Sequence, residues 1–440
     1  MSSIRKANKV IVVGAGIAGL TSAWHLNKAG FDVQVLDAGA TPGGRCREIV
    51  LDGVPVRAGA RMLYSFYGAV MDLIQELGIA DEMVTLGHAS IQCESAGARY
   101  PITFGPSRDL LLGGAISFRT LLRLRKLLPD LLAARRRGDP DDLTSLAEYD
   151  HLTLSQYLRA KGLEEFDVNV VQPLFRGARN WNTEDVSPGF FLLTTAFMAG
   201  HHAFTFKEGI GYLARKLAER LRVVPRVRVL RVEQTDVGVR VTAADSDGGA
   251  LAFDADVVVC ATEGDSALGL IGNPQPYVTE FFAGVRYNPL NINYAVLENP
   301  PARTLDFYGQ GHSSGLAIME CVPGSGRAED PPKIFCESGP EQSRARLAGL
   351  DNARLLADLE RHIQDSLPDA VIQRWVNQWI PSMLPMPYPG YIATLEAFRR
   401  AQDSTPRRIY FAGDYLGTAL VGGACASGVE AAKTITSHWA

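Results

Sequence analysis

The segment 10–45, VIVVGAGIAGLTSAWHLNKAGFDVQVLDAGATPGGR, constrains the fold of this chain more than any other. It begins with an apolar run that predicts a strand, and Gly14, Gly16 and Gly19 follow with the spacing G-x-G-x-x-G. The first glycine permits a tight turn, the second lets a pyrophosphate approach the backbone, and the third lets the next helix pack on the strand. A second apolar strand ends at Asp37, a carboxylate placed to accept hydrogen bonds from a ribose diol. This order predicts a dinucleotide-binding βαβ unit rather than a glycine-rich turn of another kind.

Two further motifs lie near the two ends of the chain. The tripeptide GGR at 43–45 comes soon after the acid. Near the C-terminus, residues 409–433 read IYFAGDYLGTALVGGACASGVEAAK, an apolar strand that enters a turn at Gly413 and Asp414. A helix rich in small residues is predicted to start just after this turn, and a helix N-terminus stabilises negative charge placed against it.

Together these motifs resemble the superfamily of flavin amine oxidases, protoporphyrinogen oxidases and phytoene desaturases. The resemblance implies noncovalently bound FAD, with Arg45 near the phosphates and Asp414 facing the ribityl and diphosphate portion. It also implies that backbone N–H groups around Gly423 and Ala424 meet the pyrimidine edge of the flavin. The family usually has Glu where this chain has Asp37, which keeps the charge on a shorter side chain.

Weaker motifs in the middle of the chain agree with this resemblance. Residues 57–64, RAGARMLY, stand where the family places a glycine-containing segment against the flavin, and Val227 stands where the backbone meets the adenine. Residues 254–262, DADVVVCAT, resemble the strand that returns to the nucleotide domain. The cofactor-binding residues that the fingerprint and the resemblance imply are Gly14, Ala15, Gly16, Ile17, Ala18, Gly19, Asp37, Ala38, Gly43, Gly44, Arg45, Gly59, Ala60, Arg61, Met62, Val227, Ala261, Trp379, Gly413, Asp414, Gly423 and Ala424.

The fold class that follows is α/β, with a Rossmann-like, doubly wound FAD-binding domain of the GR2 type and a discontinuous α+β substrate-binding domain. At 440 residues the chain is long for a single core, so two domains are expected. The FAD-binding domain is predicted to comprise 1–85, 205–272 and 390–440. The substrate-binding domain is predicted to comprise 86–204 and 273–389.

Two positions bear on which bond is oxidised. Flavin amine oxidases commonly place an aromatic ring where this chain has Leu420, and they hold a lysine near flavin N5 in a segment that corresponds to 289–296, PLNINYAV, which has none. Both departures favour C–C desaturation over amine oxidation. The covalent cysteine–flavin bond of some amine oxidases has no clear counterpart, because Cys425 lies inside the predicted helix.

The catalytic residues are not determined by the sequence, but six residues are candidates. Arg61 and Tyr64 follow the glycine of the 57–64 segment, which should bring them to the flavin. The turn-rich stretch 173–188 carries Arg176, which suits a carboxylate or polar substrate group or is a solvated residue of a surface loop. The remaining candidates are residues that either line the pocket or belong to the core: Tyr294, Tyr391 and Leu420.

The bulk properties exclude other classes of function. A net charge of −4 provides no basic field for nucleic acid. The six cysteines are scattered and form no cluster with metal-ligand spacing, so no metal and a reducing compartment are expected. No secretory signal and no apolar span of membrane length are recognisable, which predicts a cytoplasmic enzyme.

The segment 110–137 is unusual because leucines are interleaved with arginines. Such a basic apolar helix can lie in a membrane interface, and several enzymes of the resembling superfamily take lipophilic substrates from membranes. The alternative is a helix of the substrate domain with a buried leucine face and solvated arginines, and Pro129 interrupts the periodicity. Peripheral membrane contact through this segment therefore stays a hypothesis.

The predicted function is an FAD-dependent oxidoreductase that desaturates or dehydrogenates a lipophilic or aromatic small molecule, with hydride transfer to flavin N5 and O2 as the electron acceptor. A biosynthetic pathway is the expected setting. One alternative is an amine oxidase with an atypical pocket, and another is a non-redox flavin-dependent isomerase or cyclase. The sequence leaves the substrate and the oligomeric state open.

Overall fold

The N-terminal βαβ unit forms as the glycine spacing predicts. The computed structural model describes residues 8–87, 90–95, 97–103, 113–302, 304–325, 329–349 and 352–439. Strand Lys9–Val13 leads through the glycine turn into helix Ile17–Lys28, and strand Asp32–Leu36 follows. The helix stops at Lys28 because Gly30, with φ +90°, reverses the chain in the left-handed conformation that favours glycine.

The first large sheet has five strands that are all parallel. Every residue of strand Val257–Cys260 is buried, as expected where helices cover both faces of a parallel sheet. The predicted α/β, doubly wound fold class is confirmed. In sheet order the strands are Arg222–Val224, Asp32–Leu36, Lys9–Val13, Val257–Cys260 and Ile409–Phe411.

The C-terminal helix Val421–Trp439 packs closely against the first helix. A Cβ atom on Gly428 would lie 2.4 Å from the Ala18 carbonyl oxygen, so the approach of the two helices depends on a glycine here. The small residues of this helix therefore bring the last motif of the chain against the first one.

The run Val223–Val232 does not form a single strand but belongs to two strands in two different sheets. It breaks around Arg226, whose φ of +58° is left-handed. Strand Arg222–Val224 joins the parallel sheet, whereas Arg228–Gln234 forms a separate antiparallel sheet with the strands Val239–Ala244 and Ala250–Ala255.

The second large sheet has seven strands, all antiparallel to their neighbours except one parallel pair. Its strands come only from the segments predicted for the substrate-binding domain, and those of the parallel sheet come only from the segments predicted for the FAD-binding domain. The division into domains itself stays a prediction. In sheet order the strands are Ile372–Ile380, Leu290–Leu297, Lys333–Ser338, Leu316–Val322, Leu305–Tyr308, Ser90–Ser95 and Ala98–Thr103.

Two small sheets and a set of helices complete the described part of the chain. The small sheets are the hairpin Glu48–Leu51 with Val54–Arg57, and the strands Leu63–Tyr64, Ala203–Phe206 and Met83–Thr85. None of the helices in the described ranges combines the length and the apolarity needed to cross a bilayer. The other α-helices are Gly68–Leu77, Phe118–Arg123, Leu128–Arg137, Leu154–Ala160, Glu164–Phe166, Gln172–Arg179, Pro188–Met198, Tyr212–Ala218, Gly264–Leu270, Pro276–Gly284, Pro340–Leu347, Asn352–Ser366 and Tyr391–Asp403, with 3-10 turns at Gly44–Cys46, Ala80–Glu82, Leu124–Leu127, Leu143–Tyr149 and Asp414–Leu416 and a π turn at Asp167–Val171.

Candidate functional site

Residues of both large sheets line one cavity of about 2960 Å³. Small-molecule pockets usually measure about 300–1,000 Å³, so this volume has room for a dinucleotide and a second, sizeable molecule. The glycine turn and the GGR segment line one part of it. Strands Leu290–Leu297 and Lys333–Ser338 of the seven-stranded sheet line another part.

The geometry of the glycine turn agrees with the role that the sequence predicts for it. A Cβ atom on Gly14 would lie 2.7 Å from the Ala261 carbonyl oxygen, and one on Gly19 would lie 2.0 Å from the Gly14 carbonyl oxygen. Those two glycines are therefore required by the packing of the protein itself. A Cβ atom on Gly16, which lines the cavity, would meet no protein atom within 4 Å. The space above Gly16 is open, as a cradle for a pyrophosphate requires.

Asp37 braces the glycine turn as well as lining the cavity. Its carboxylate accepts hydrogen bonds from the backbone N–H groups of Ala15 and Gly39, both at 2.6 Å. Its role toward a ribose stays a prediction. Val227 also lines the cavity, but its N–H donates to the Asp37 carbonyl oxygen at 2.9 Å and is not available to an adenine.

Arg45 and Asp414 line the cavity together and form an ion pair. The Arg45 Nη2–Asp414 Oδ1 and Nη1–Oδ2 distances are both 2.9 Å, and Arg45 also donates to the Met383 carbonyl oxygen. Burial by itself lowers the pKa of Arg45, but the Asp414 carboxylate outweighs this and raises that pKa. The GGR motif and the C-terminal motif thus meet at one side of the cavity.

The start of the C-terminal helix differs from the expectation in one respect. Ala424 lines the cavity, but its N–H donates to the Leu420 carbonyl oxygen at 3.0 Å inside the helix, so it cannot face the flavin. The N–H groups of the preceding positions, 421–423, are those that an α-helix leaves without an intrahelical partner. The contact with the pyrimidine edge of the flavin stays a prediction, and of these three positions Val421 lines the cavity.

Most of the predicted cofactor-binding residues share this one cavity. Ala15, Gly19 and Gly423 do not line it. The predicted residues that do line it are Gly14, Gly16, Ile17, Ala18, Asp37, Ala38, Gly43, Gly44, Arg45, Gly59, Ala60, Arg61, Met62, Val227, Ala261, Trp379, Gly413, Asp414 and Ala424.

Comparison with known families agrees with this geometry. A family model described as flavin containing amine oxidoreductase matches residues 17–436. The chain belongs to this family. Membership in the flavin containing amine oxidoreductase family implies a flavin cofactor, and the resemblance noted from the sequence is confirmed.

The individual relatives match this chain either over a short segment or at low sequence identity. A hydroxyneurosporene desaturase of Rubrivivax gelatinosus is 38% identical over 100 residues, which are 20% of this chain and 19% of the desaturase. A Mycobacterium tuberculosis protein that carries the name flavin-containing monoamine oxidase is 26% identical over 338 residues, 73% of this chain and 72% of that protein. A solved structure of cyclohexylamine oxidase from Brevibacterium oxydans has a TM-score of 0.69 at 16% identity, with 98% of this chain and 99% of that one covered. The similarity to the cyclohexylamine oxidase structure shows that the two chains share a fold.

Four of the six candidate catalytic residues of this flavin containing amine oxidoreductase line the cavity. They are Arg61, Tyr64, Tyr294 and Leu420. Arg61 forms an ion pair with Glu320, and its guanidinium lies 4.7 Å from the centroid of the Phe335 ring.

The other two candidates lie outside the residues that line the cavity. Arg176 is 1% exposed and pairs with the Glu341 carboxylate at 2.8 Å. The stretch 173–188, expected to be turn-rich, begins in helix Gln172–Arg179. Tyr391 is buried and donates to the Tyr415 carbonyl oxygen at 2.6 Å. Both residues serve the packing of the fold rather than the pocket.

Among the acidic residues that line the cavity, sequence reasoning missed Glu320 and Glu337 on the seven-stranded sheet. Each stands beside a run of apolar residues in its strand, Glu320 in LAIMECV and Glu337 in KIFCES. A charged residue inside such a strand was the signal that could have identified them. Burial raises the pKa of Glu337 to about 8, although the Arg61 cation opposes this rise.

The segment 110–137 forms part of the cavity wall. Residues 110–112 lie outside the described residues. The remainder forms helices Phe118–Arg123 and Leu128–Arg137, which are joined by a 3-10 turn, and Pro129 stands in the first turn of the second helix. Four leucines of this segment line the cavity: Leu124, Leu127, Leu128 and Leu131.

Proposed function

We propose that this flavoenzyme uses FAD to remove two hydrogens from adjacent carbons of a lipophilic or aromatic molecule in a biosynthetic pathway. The bound flavin would supply the acceptor for the hydride at N5, with O2 as the final acceptor. The chain's own residues bind and orient the substrate and exclude water. The observation that carries the proposal is the apolar wall of the cavity. The segment 86–204, predicted for the substrate-binding domain, contributes Leu127, Leu131, Val170, Leu174 and Phe190 to this wall.

Two details favour C–H over amine donors. Leu420, which lines the cavity directly before the C-terminal helix, is aliphatic where amine oxidases commonly have an aromatic ring. Strand Leu290–Leu297 is buried throughout and contains no lysine. A large hydrocarbon body gains about 25 cal/mol for each Å² of apolar surface that such a wall covers.

Anaerobic mixing of the purified protein with candidate donors tests the proposal. The donors are phytoene in lipid vesicles, a porphyrinogen and a panel of primary amines, and the readout is bleaching of the oxidised flavin spectrum. We expect bleaching by a lipophilic C–H donor and none by the amines. Bleaching by amines alone would establish the alternative, an amine oxidase with an atypical pocket. A product isomeric with its substrate, without net bleaching or acceptor consumption, would establish the isomerase or cyclase.

We propose that the FAD is held noncovalently. Of the six cysteines, all within the described ranges, only Cys46 lines the cavity. Burial raises its pKa to about 12, so the reactive thiolate is disfavoured. Acid precipitation should therefore leave the yellow colour in the supernatant. Colour that stays with the protein pellet would overturn this part of the proposal.

Peripheral contact with an anionic membrane is a further part of the proposal. Three apolar residues of the segment 110–137 are more than half exposed, at 53–73%, and do not line the cavity. Arg135, Arg136 and Arg137 are exposed beside them. A lipophilic substrate could then pass from the bilayer into the cavity along this wall. These three exposed residues are Phe118, Leu122 and Leu132.

A further inference from the structure

Glu337 presents a buried carboxyl group to the cavity without a partner. It is 5% exposed and lines the cavity, and its neighbours across the sheet are Ile292 and Ile318. Its carboxyl oxygens make no hydrogen bond or ion pair with any residue in the described part of the chain. Buried polar groups are nearly always satisfied, so one that faces a cavity indicates a ligand that supplies the missing bond.

The charged groups around Glu337 are not balanced. Arg61 is paired with Glu320 on the neighbouring strand Leu316–Val322. Arg57, an exposed residue at the end of the hairpin strand Val54–Arg57, lines the cavity near Arg61 and makes no ion pair within the described ranges. Burial and the nearby Arg57 lower the pKa of Arg61 to about 10, which leaves it charged at neutral pH.

The neutral groups near Glu337 do not change the balance of charge at the site. The Tyr294 hydroxyl from strand Leu290–Leu297 donates to Gln378 Oε1 at 2.9 Å, and burial raises the pKa of that hydroxyl. Burial disfavours the charged form of Glu337, so two guanidinium groups stand against the Glu320 carboxylate, with which Arg61 is paired. The site therefore offers donors and an excess of about one positive charge.

We propose that Arg57, Arg61 and Glu337 form an anion site that binds the carboxylate of a lipophilic ligand. The inference rests on the proposed function, because it names the polar end of the substrate for the same cavity. An ammonium group would find few acceptors here, and a phosphate dianion carries more charge than the site can neutralise. The apolar remainder of the ligand would lie along the leucine-rich helical wall.

A headgroup series on one alkyl chain tests this proposal without knowledge of the natural substrate. The flavin-loaded protein is titrated calorimetrically at neutral pH with oleate, methyl oleate and oleylamine. We expect oleate to bind about tenfold tighter than either of the others, as a charge-assisted hydrogen bond implies. Arg57→Gln should weaken oleate binding about tenfold. Arg374→Gln, an exposed arginine of the same sheet that does not line the cavity, should leave the affinity unchanged.

A pH series isolates the contribution of Glu337. As pH rises through about 8, Glu337 ionises and repels the carboxylate, so oleate binding by the wild-type protein should weaken. Glu337→Gln keeps a neutral donor and should bind oleate with an affinity that does not change over this range. Flavin content verifies that the variant is folded.

Several outcomes would overturn the anion site. They are equal affinities for oleate and methyl oleate, tighter binding of oleylamine, an Arg57→Gln affinity equal to that of wild type, or an unchanged pH dependence in Glu337→Gln. Bleaching of the flavin by a neutral lipid would leave the proposed function standing while this inference failed. Tight oleate binding without any flavin reduction by a lipophilic donor would leave the anion site standing while the proposed function failed.

Discussion

Arg45 and Asp414 are 369 residues apart in the sequence, yet their side chains form a two-point ion pair at the wall of the cavity. The side chain of Asp414 is 5% exposed and that of Arg45 is 26% exposed. The pair joins the GGR motif to the C-terminal motif, so these two parts of the cavity wall are held together by charge as well as by the sheet.

Replacing Asp414 with Ala should destabilise the fold. The variant leaves a largely buried guanidinium without its counter-ion, which costs about 3 kcal/mol of unfolding free energy. Urea unfolding of the protein measures the loss. The double variant Arg45→Met with Asp414→Leu removes both charges and should lose less. A single variant as stable as the double one would contradict this account.

Replacing Gly16 with Val should abolish flavin retention and leave the fold intact. Because a Cβ atom at this position meets no protein atom within 4 Å, the new side chain only fills the space of the ligand. The ratio of flavin absorbance to protein absorbance measures retention, and thermal unfolding checks the fold. The matched control is Gly269→Val, where a Cβ atom also meets nothing within 4 Å but the residue lies outside the cavity lining. Normal flavin content in Gly16→Val would refute the assignment of the turn.

Asp141 should make the stability of the protein depend on pH. Its Oδ2 accepts from the Ala69 N–H at 3.2 Å, its Oδ1 is buried without a partner, and burial raises its pKa to about 7. The unfolded chain has a normal Asp pKa of about 3.9. Stability is therefore lost as pH rises from about 4 to about 7, because only the unfolded state ionises over this window.

The variant Asp141→Asn should not lose stability in this way, because its side chain does not ionise. Its stability relative to wild type should increase by up to about 4 kcal/mol between pH 4 and pH 7 and stay level above that. Urea unfolding at several pH values gives the difference. A difference that does not vary with pH would show that Asp141 ionises normally in the folded protein.

The exposed arginines of helix Leu128–Arg137 should support binding to anionic vesicles. Changing Arg135, Arg136 and Arg137 to Gln should weaken co-sedimentation with phosphatidylserine vesicles, by about 1 kcal/mol for each charge near the surface, and salt should weaken it too. The control changes Arg228, Arg231 and Arg240 to Gln in the three-stranded sheet. No binding by the wild-type protein, or equal losses in both variants, would count against membrane contact through this segment.

The nucleotide half of the fold could be predicted because its determinants are local in the sequence. Gly19 is required by the close approach of the Gly14 carbonyl oxygen within the turn itself, so the glycine spacing specifies the βαβ unit. The break around Arg226 could not be predicted, because both halves of the apolar run have strand character and only the tertiary structure assigns them to different sheets.

The substrate half was predicted less well because its geometry depends on pairing between distant segments. Glu341 is 165 residues from Arg176 in the sequence, and nothing in the local pattern around Arg176 reveals this partner. Glu337 faces the cavity only through the register of its strand with two others. Which face of a strand is buried follows from that register, which a single sequence does not contain.

The discontinuous parallel sheet has a consequence for the order of events during synthesis. A nascent chain exposes the glycine turn early, but the strand Ile409–Phe411 at the sheet edge and the carboxylate of Asp414 emerge from the ribosome hundreds of residues later. We therefore expect flavin capture only after this strand and Asp414 have been synthesised, because the nucleotide site of a shorter nascent chain is incomplete.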